Sequence, residues 1–407
     1  MGQAKKHLCI VGGGPAGMVA GLLFARAGVH TTVLEKHADF LRDFRGDTVH
    51  PSTLRIFAEL GLLEAFLARP HDKVHELGAW IGDRHVEIAD FSGFDRRWNF
   101  IAMMPQWDFL DFVADEARLY PHFELLMEAE GLGLVEEAGK VAGIRYRHGG
   151  EEKEIRADLV IACDGRRSVL REAAALPLLS FGAPMDVFWF RIPKQRNAAN
   201  ESTGVITAGT IMALIDRGEY WQCAYVFAKG REEEIRALGI ERFRQTVAQT
   251  APMIPLDVAA IQSWEDVKLL TVALDRLERW HQPGLLVIGD AAHAMSPIGG
   301  VGINVAVQDA VAAANLLAAP MAEGRDVDPL LAKVQARRMP AVRSIQGFQD
   351  AAQRRVISRL LTRRSGPLKV PLVLRLIDRF PLLRRLPAAF IGFGIRAEHV
   401  RSPKASG

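Results

Sequence analysis

The sequence predicts an α/β fold: a Rossmann-type dinucleotide-binding domain, an inserted mixed β-sheet and a C-terminal helical segment. Three strand-to-turn signals predict the first part. One apolar strand near the N terminus runs into a glycine-rich turn, and two later apolar strands end in Asp-Gly and in Gly-Asp. Alternating aromatic and β-branched residues over 74–104 and 181–268 predict the inserted sheet. The 407 residues are 49% hydrophobic and 24% charged, an ordinary balance for a globular protein.

The first signal is a strand, a turn and a helix. Residues 8–11 have the apolar run of a buried strand, and a GxGxxG motif from Gly12 to Gly17 then leads into a small-residue helix. In this motif the first glycine permits a tight turn, Gly14 lets the backbone approach a pyrophosphate, and Gly17 lets the helix pack close to the sheet. The helix N terminus presents free N–H groups to the phosphates.

Glu35 follows the second strand of this unit, which covers residues 31–34. A carboxylate at this place can accept hydrogen bonds from both hydroxyls of an adenosine ribose and would repel a 2′-phosphate. The sequence therefore predicts FAD or NAD, rather than NADP, as the bound dinucleotide.

The other two signals end two further apolar strands. Residues 157–163 precede Asp164-Gly165, and residues 284–288 precede Gly289-Asp290, after which a glycine-rich loop opens an alanine-rich helix over 305–318. Ligands of open parallel sheets bind beyond the carboxyl ends of the strands, so three such ends can meet one elongated cofactor. Asp290 can accept from a ribityl hydroxyl, and N–H groups of the loop can stabilise a negative ring edge.

Local patterns predict the remaining elements. Ser52 is placed to cap a helix over 53–59, and a single helix is predicted over 232–248. Short strand-like runs predict a small antiparallel set made of residues 123–127, 133–136 and 141–147.

Together, the three signals resemble those of the FAD-dependent aromatic-ring hydroxylases, the group A flavoprotein monooxygenases typified by para-hydroxybenzoate hydroxylase. The resemblance covers residues 7–345. It implies a discontinuous FAD-binding domain, a substrate domain and a basic C-terminal segment. The FAD-binding domain would comprise residues 1–73, 101–180 and 269–345. The substrate domain would comprise residues 74–100 and 181–268, and the C-terminal segment residues 346–407.

The resemblance also implies site residues. Glu35 would hold the adenosine ribose, Arg45 and Gln106 would contact phosphate and ribityl groups, and Asp164 would serve the pyrophosphate and a pyridine nucleotide. The whole set implied for FAD is Gly12, Gly14, Pro15, Ala16, Gly17, Glu35, Lys36, Arg45, Gln106, Asp164, Gly289, Asp290, Pro297, Gly300, Gly302, Ile303 and Asn304. The candidates nearest the reactive ring are Pro297, Gly299 and His50. No catalytic base and no metal ligand is assigned.

The implied activity is that of an FAD-dependent monooxygenase. In this family NADH or NADPH reduces the flavin, molecular oxygen gives a C4a-hydroperoxyflavin, and one oxygen atom is transferred to an aromatic or polycyclic phenolic substrate. Family members need no second nucleotide-binding fold, which agrees with the single GxGxxG motif in this chain.

Two alternatives stay open. Residues 188–193 resemble the Trp-x-Trp-x-Ile-Pro signature of flavin-dependent halogenases, although both tryptophans are phenylalanine here. The catalytic lysine of halogenases has no equivalent, because Lys36 directly follows Glu35. The second alternative is a flavin-binding reductase, or a flavin binder without oxygenase activity.

The substrate is expected under the inserted sheet, facing the flavin. Alternation along the strands gives six lining candidates: Trp189, Arg191, Met212, Leu214, Trp221 and Tyr225.

Charge is distributed unevenly along the chain. From residue 351 onward there are thirteen Lys/Arg and two Asp/Glu, a net charge of +11; because the whole chain carries +3, the preceding residues carry −8. The basic segment predicts helices broken by Pro367, Pro371, Pro381 and Pro387. Packing of their apolar faces on the FAD domain is the preferred interpretation, and an anionic membrane surface is the alternative.

Other partners and the compartment follow from composition. No aromatic-rich module accompanies the basic segment, so nucleic acid is not an expected partner. The cysteines Cys9, Cys163 and Cys223 are too few and too scattered for a disulfide framework or a zinc site. We therefore expect a cytoplasmic monomer or homodimer that binds no metal.

Overall fold

The computed structural model of the protein describes residues 6–41, 48–195, 202–363, 366 and 368–405. Helices and strands alternate around several sheets, which confirms the predicted α/β class. The strands are β1 (His7–Val11), β2 (His30–Leu34), β3 (Thr48–Val49), β4 (Asp72–Val74), β5 (Glu76–Ile81), β6 (Arg84–Asp90), β7 (Ile101–Met103), β8 (Phe123–Leu126), β9 (Glu130–Glu137), β10 (Lys140–His148), β11 (Glu151–Arg156), β12 (Leu159–Ala162), β13 (Leu178–Ser180), β14 (Met185–Pro193), β15 (Thr203–Thr207), β16 (Thr210–Asp216), β17 (Tyr220–Ala228), β18 (Lys268–Leu270), β19 (Asp275–Leu277), β20 (His281–Gln282) and β21 (Leu285–Val287). The helices are α1 (Pro15–Arg26), α2 (Pro51–Leu60), α3 (Leu63–Leu67), α4 (Gln106–Arg118), α5 (Val169–Ala173), α6 (Glu232–Ala237), α7 (Ile240–Thr250), α8 (Gly302–Ala322), α9 (Asp328–Ala352), α10 (Ser358–Leu361), α11 (Leu372–Arg379) and α12 (Pro381–Phe393), and a π-helical turn (Gln353–Ile357) joins α9 to α10.

The strands that carry the three sequence signals are neighbours in a six-stranded sheet of order β20-β21-β12-β1-β2-β8. β1 is parallel to β2 and to β12, and β12 is parallel to β21. Val11, Ala162 and Val287 pair with one another across the three central strands. The carboxyl ends of β1, β12 and β21 therefore lie side by side, as the sequence predicts.

The edge strand β8 corrects the prediction for residues 123–127. It runs parallel to β2, whereas the antiparallel sheet contains β9, β10 and β11. The reason is a long-range contact: a Cβ at Gly21 of α1 would lie 2.9 Å from the Phe123 ring, so the missing side chain makes room for β8 beneath the helix. Local alternation carries no signal for such a contact.

Helices α1 and α8 pack against each other and build the main core on one face of the parallel sheet. α1 can lie this close to the turn after β1 because residue 17 is glycine. A Cβ at Gly17 would lie 1.9 Å from the carbonyl oxygen of Gly12. The stretch Ile298–Ala322 is long and apolar enough to cross a membrane, but 83% of its apolar window is buried in the protein. It is therefore the core helix of this domain.

The inserted sheet has seven strands in the order β18-β14-β17-β16-β15-β5-β6. It is mixed, as predicted, because β15 is parallel to β5 and antiparallel to β16. Phe188 and Val247 mark the face that packs on α7. Trp189 and Ala213 mark the opposite face, against which Ile298 of the glycine-rich loop packs. This second face is therefore turned toward the dinucleotide-binding sheet.

Two helix predictions need correction. The single helix predicted over 232–248 is divided into α6 and α7 at Gly239, whose φ of 85° lies in the left-handed region that glycine favours. Ser52 does not cap the helix after the third strand. That helix begins at Pro51 with His50 as its N-cap, because proline is well suited to the first helical position.

The C-terminal segment is helical, as predicted, but Pro387 lies inside α12 rather than breaking it. Pro367 lies outside the described residues. Both α11 and α12 pack on β6, the edge strand of the inserted sheet. The preferred interpretation is that the FAD domain covers their apolar faces. It is wrong for both helices, because Leu372 and Leu376 of α11 and Leu382 and Leu386 of α12 remain exposed.

Candidate active site

The turn after β1 opens a concave space in front of helix α1. Gly12 has a φ of 107°, and a Cβ there would lie 2.3 Å from the carbonyl oxygen of Cys163, so this position requires glycine. At Gly14, by contrast, a Cβ would meet no atom within 4 Å. Gly14 is the N-cap of α1, and it has no side chain to accept from the first N–H groups of the helix. These donors and the positive end of the helix dipole fit a pyrophosphate.

The Glu35 carboxylate is buried beside this turn and is oriented by two backbone donors. Its Oε2 accepts from the N–H of Gly13 at 3.0 Å, and its Oε1 accepts from the N–H of His37 at 3.0 Å. A carboxylate oxygen has two lone pairs and can accept more than one hydrogen bond. A fixed carboxylate of this kind fits the two hydroxyls of an adenosine ribose.

Asp164, at the end of β12, organises the next turn. Its Oδ1 accepts from the Ser168 hydroxyl at 2.5 Å, and its Oδ2 accepts from the N–H of Leu170 at 3.3 Å. Burial raises the pKa of Asp164, partly opposed by these hydrogen bonds. Gly165 follows with a φ of 83° and open space at its Cβ position. The aspartate thus holds the start of α5 and leaves Gly165 facing open space.

Asp290 and Arg166 join the second signal to the third. The guanidinium Nε of Arg166 donates to Oδ2 of Asp290 at 3.1 Å, and both side chains are partly exposed. The sequence predicts a ribityl contact for Asp290 but no role for Arg166. The two residues are 124 positions apart, so no local pattern relates them.

We expect the Asp290→Ala variant to lose bound flavin, because Arg166 would lose its counter-ion and a ribityl hydroxyl its acceptor. The expected weakening of FAD binding is about tenfold, equivalent to about 1.4 kcal/mol. The ratio of flavin to protein absorbance after gel filtration measures it. The matched control is Asp350→Ala, which removes a surface ion pair with Arg354. Equal flavin content in all three proteins would refute the role of Asp290.

The glycine-rich loop before α8 is held at several points. Gly299 and Gly300 have φ values of 78° and 61°. The Thr48 hydroxyl donates to the carbonyl oxygen of Gly300 at 2.7 Å. Gln349 of α9 accepts from the N–H of Ser296 at 3.1 Å and donates to the carbonyl oxygens of Ser296 and Ile298. Gln349, which no sequence motif marks, therefore fixes the loop.

Asn304 connects α8 to the start of α2. Its Oδ1 accepts from the N–H of His50 and from the Thr53 hydroxyl, each at 2.8 Å, and its Nδ2 donates to Thr48. His50 is fully buried, and its Nδ1 lies 2.8 Å from the carbonyl oxygen of Ile391. Burial lowers the pKa of His50 to about 4, partly opposed by that hydrogen bond. The imidazole is therefore neutral at neutral pH, and Nε2 is left as an acceptor.

A buried ionic network lies behind the Gly289-Asp290 turn. His293 Nε2 lies 2.6 Å from Oδ2 of Asp309, which also accepts from the N–H of Gly289 at 3.2 Å. Arg338 Nε donates to Oδ1 of Asp309 at 2.8 Å, and its Nη1 lies 3.8 Å from Glu398. Burial alone would raise the pKa of Asp309, but the charges and hydrogen bonds of His293 and Arg338 outweigh it and lower that pKa. The network holds the turn that carries Asp290.

The substrate candidates divide between the two faces of the inserted sheet. Trp189 lies on the face that meets Ile298. Arg191 is exposed, with its guanidinium 5.1 Å from the Tyr220 ring centroid. Four candidates pack on the opposite face, against α7: Met212, Leu214, Trp221 and Tyr225. For these four the predicted placement facing the glycine-rich loop is corrected, because alternation gives the period of a strand and not which face is inward.

A row of small residues crosses the inner face of the sheet. Ala224 is paired with Trp189 and with Ala213, Ala213 with Gly204, and Gly204 with Ala79. Directly paired residues point to the same face, so the row, with Trp189 at one end, lies on a single face of the sheet. It spans five neighbouring strands, about 19 Å at the usual strand spacing.

Two side chains have buried polar atoms with no hydrogen-bond partner among the described residues. One is Gln353, which is 0% exposed and lies in the π-helical turn; both its Nε2 and its Oε1 lack partners. The other is the indole Nε1 of Trp189. Ile357 of the same turn packs in one cluster with Trp189 and Ile298. Unpaired buried amides are costly, and π-turns often occur at functional sites.

The other cofactor candidates have simpler surroundings. Pro15 and Ala16 form the first turn of α1, Gln106 is the first residue of α4, and Lys36 is exposed. Pro297, Gly302 and Ile303 lie in the glycine-rich loop and the first turn of α8. Arg45 lies outside the described residues.

A Rossmann-type cradle, an oriented carboxylate and a glycine-rich loop facing the inserted sheet fit a dinucleotide-dependent oxidoreductase. Residues 5–348 match the family model described as "FAD binding domain", and the chain belongs to this family. The predicted FAD cofactor and the resemblance to aromatic-ring hydroxylases are confirmed.

Two similar proteins bear the names of monooxygenases. The chain is 30% identical to a 6-methylpretetramide 4-monooxygenase from Streptomyces rimosus, with 98% of this chain and 95% of that protein covered. It is 26% identical to a rifampicin monooxygenase from Streptomyces venezuelae, with 83% of this chain and 68% of that protein covered. The predicted class, an FAD-dependent monooxygenase, is thereby confirmed.

Solved structures show the same fold. The anhydrotetracycline hydroxylase OxyS from Streptomyces rimosus superposes with a TM-score of 0.70 at 22% identity, covering 99% of this chain and 78% of that chain. A flavin-dependent brominase superposes with a TM-score of 0.74 at 16% identity, covering 94% of each chain. At such identities the likeness shows the fold alone, so the brominase does not favour the halogenase alternative.

Proposed function

We propose that this monooxygenase hydroxylates a polycyclic aromatic phenol of polyketide type, with NADH or NADPH as reductant and molecular oxygen as co-substrate. The observation that carries this proposal is the row of small residues Ala224, Ala213, Gly204 and Ala79 beside Trp189. Flat fused rings can lie on such a row, whereas large side chains would separate them from the sheet. The relative that acts on 6-methylpretetramide, aligned over 98% of this chain, supports the same substrate class.

The chain's own residues would bind and orient. Bound FAD would supply oxygen activation, once reduced. The α1 N terminus and Glu35 would hold its adenosine half, and Asp290 and the glycine-rich loop would hold its ring half. The apolar cluster of Val187, Ile298 and Leu361 would exclude water from the space between loop and sheet.

A panel of mono- and polycyclic phenols tests the proposal. Each phenol is added to the flavin-loaded protein, and NADH and NADPH oxidation, oxygen uptake and product mass are recorded. The expected result is NAD(P)H oxidation stimulated most by polycyclic phenols, with a product heavier by one oxygen atom. Oxidation that no phenol stimulates would indicate a reductase or a binder. Halide incorporated in place of oxygen would indicate a halogenase.

Gln353 and Trp189 are the polar substrate contacts of this proposal. A phenol or enol hydroxyl can donate to Oε1 of Gln353, and a substrate carbonyl can accept from its Nε2 or from the indole N–H of Trp189. These contacts would satisfy the buried groups that lack partners among the described residues.

We expect Gln353→Leu to raise KM for the phenol about tenfold, since one hydrogen bond to the substrate is worth about 1.4 kcal/mol. Leucine removes an unpaired amide from the core, so the substrate-free variant should be at least as stable as the wild type. Steady-state kinetics and thermal melting measure the two effects. The exposed Gln249→Leu is the control for adding an apolar side chain. Unchanged KM in Gln353→Leu would contradict the contact.

Further features belong to the same proposal. The FAD-binding domain would comprise residues 1–73, 101–180 and 269–345, and the substrate domain residues 74–100 and 181–268. The protein would act in the cytoplasm as a monomer or homodimer. Limited proteolysis with and without FAD tests the boundaries, because flavin should protect only cleavage sites in the first set.

A further inference from the structure

Helices α11 and α12 expose a set of large apolar side chains. Their exposed fractions range from 38% to 73%. The members of this set are Leu372, Val373, Leu376, Phe380, Leu382, Leu383 and Leu386. Such a contiguous set on a soluble surface marks a place of interaction.

The two helices repeat one pattern. In α11 the exposed apolar residues Leu372, Val373 and Leu376 are accompanied by Arg375, three residues after Leu372. In α12 the same spacing recurs: Leu382, Leu383 and Leu386 are accompanied by Arg385, three residues after Leu382. Residues three and four apart share a helix face, so each arginine flanks an apolar strip.

The inner faces of both helices are anchored to β6. Leu374 packs in a cluster with Val86, and Asp378 pairs with Arg84 at 2.7 Å and accepts from the N–H of Glu87. Ala388 of α12 packs beside Ala89. Both helices therefore pack on β6 through their inner faces. Their exposed apolar strips lie on the outer side, away from β6. We call this outer set of seven apolar residues with Arg375, Arg379 and Arg385 the basic apolar surface.

Charge decides which occupant fits this surface. Over residues 368–397 the sequence has six basic residues, Lys369, Arg375, Arg379, Arg384, Arg385 and Arg396, and one acidic residue, Asp378, which is paired with Arg84. A second copy of the chain seated on the same surface by two-fold symmetry would bring arginine against arginine. Anionic lipid headgroups complement the arginines, and acyl chains complement the apolar strips.

We propose that the basic apolar surface docks the protein on an anionic lipid bilayer. The attachment is peripheral, because α11 has 8 residues and α12 has 13, whereas spanning a bilayer takes about 20. The proposal is independent of the substrate, since the row of small residues on the inserted sheet and the FAD cradle are built from other residues.

Flotation of the full flavin-loaded chain with vesicles tests it. We expect the protein to float with vesicles of 30% phosphatidylglycerol in phosphatidylcholine, to float less at high salt, and to stay behind with pure phosphatidylcholine. The Leu376→Ser/Leu386→Ser variant should lose most binding, and Arg379→Gln/Arg385→Gln should lose the dependence on anionic lipid. The Leu119→Ser/Leu238→Ser control removes two exposed leucines elsewhere on the surface and should float like the wild type.

Flavin content and thermal melting show whether each variant is folded; exposed positions should leave both unchanged. Failure of the wild type to float, or equal flotation of Leu376→Ser/Leu386→Ser and the control, would overturn the proposal. So would a dimer of the wild type that the Leu376→Ser/Leu386→Ser variant alone abolishes in sedimentation velocity, because the occupant would then be a second copy.

Discussion

The Gly14→Val variant is expected to purify as a folded protein that binds no FAD. Gly14 has a φ of −75° and a ψ of −177°, a conformation open to any residue, and a Cβ there would meet no protein atom within 4 Å. The valine side chain would instead occupy the open space at the α1 N terminus, where the pyrophosphate is predicted to bind. We expect at least a 100-fold loss of FAD affinity, about 2.7 kcal/mol, with little change in the melting temperature of the apoprotein.

Gly17→Val provides the matched comparison. There the added Cβ would lie 1.9 Å from the backbone oxygen of Gly12, so helix α1 must move away from the sheet. This variant should lose stability whether or not FAD is present. Titration of the apoproteins with FAD and circular-dichroism melting separate the two effects. If Gly14→Val keeps its flavin, the pyrophosphate does not approach this turn.

The sequence could predict those parts of the site that depend on local backbone requirements. A Cβ at Gly12 would collide with the backbone of Cys163, and a Cβ at Gly17 with the backbone of Gly12. Glycine is therefore required at both positions, and the sequence shows this requirement as the GxGxxG spacing. The ends of β1, β12 and β21 could be expected to meet, because apolar runs that finish in Gly or Asp are typical of parallel strands at a ligand site.

Other parts depend on contacts between distant residues and leave no local signal. In β16 and β17, Leu214 and Tyr225 lie on the face that helix α7 covers. Alternation alone could not distinguish this face from the face turned toward the glycine-rich loop. The pairing of Arg166 with Asp290 and the π-turn at Gln353 likewise arise only after folding. The structure places Tyr225 and its neighbours on the face that α7 covers, and Trp189 on the opposite face.

Asp309→Asn should produce the largest loss of stability among the charge variants. Asp309 is 0% exposed and accepts from Arg338, Gly289 and His293, so its removal leaves a buried guanidinium short of negative charge. Breaking such a buried pair costs about 3–5 kcal/mol in the free energy of unfolding. Urea unfolding measures it. The control Asp350→Asn breaks an exposed pair with Arg354 and should cost at most about 1 kcal/mol.

The pH dependence supplies a second test. The folded protein holds the pKa of Asp309 below its usual value, so its stabilisation is fully present above the unfolded pKa of about 4 and declines as pH falls toward the folded pKa. Asp309→Asn should therefore lose part of the acid sensitivity of the wild type. Asp309→Leu/Arg338→Met, which replaces both charges by apolar groups, should recover stability relative to Asp309→Asn. An unchanged acid limb in Asp309→Asn, or no recovery in the double variant, would mean that this network does not stabilise the turn that carries Asp290.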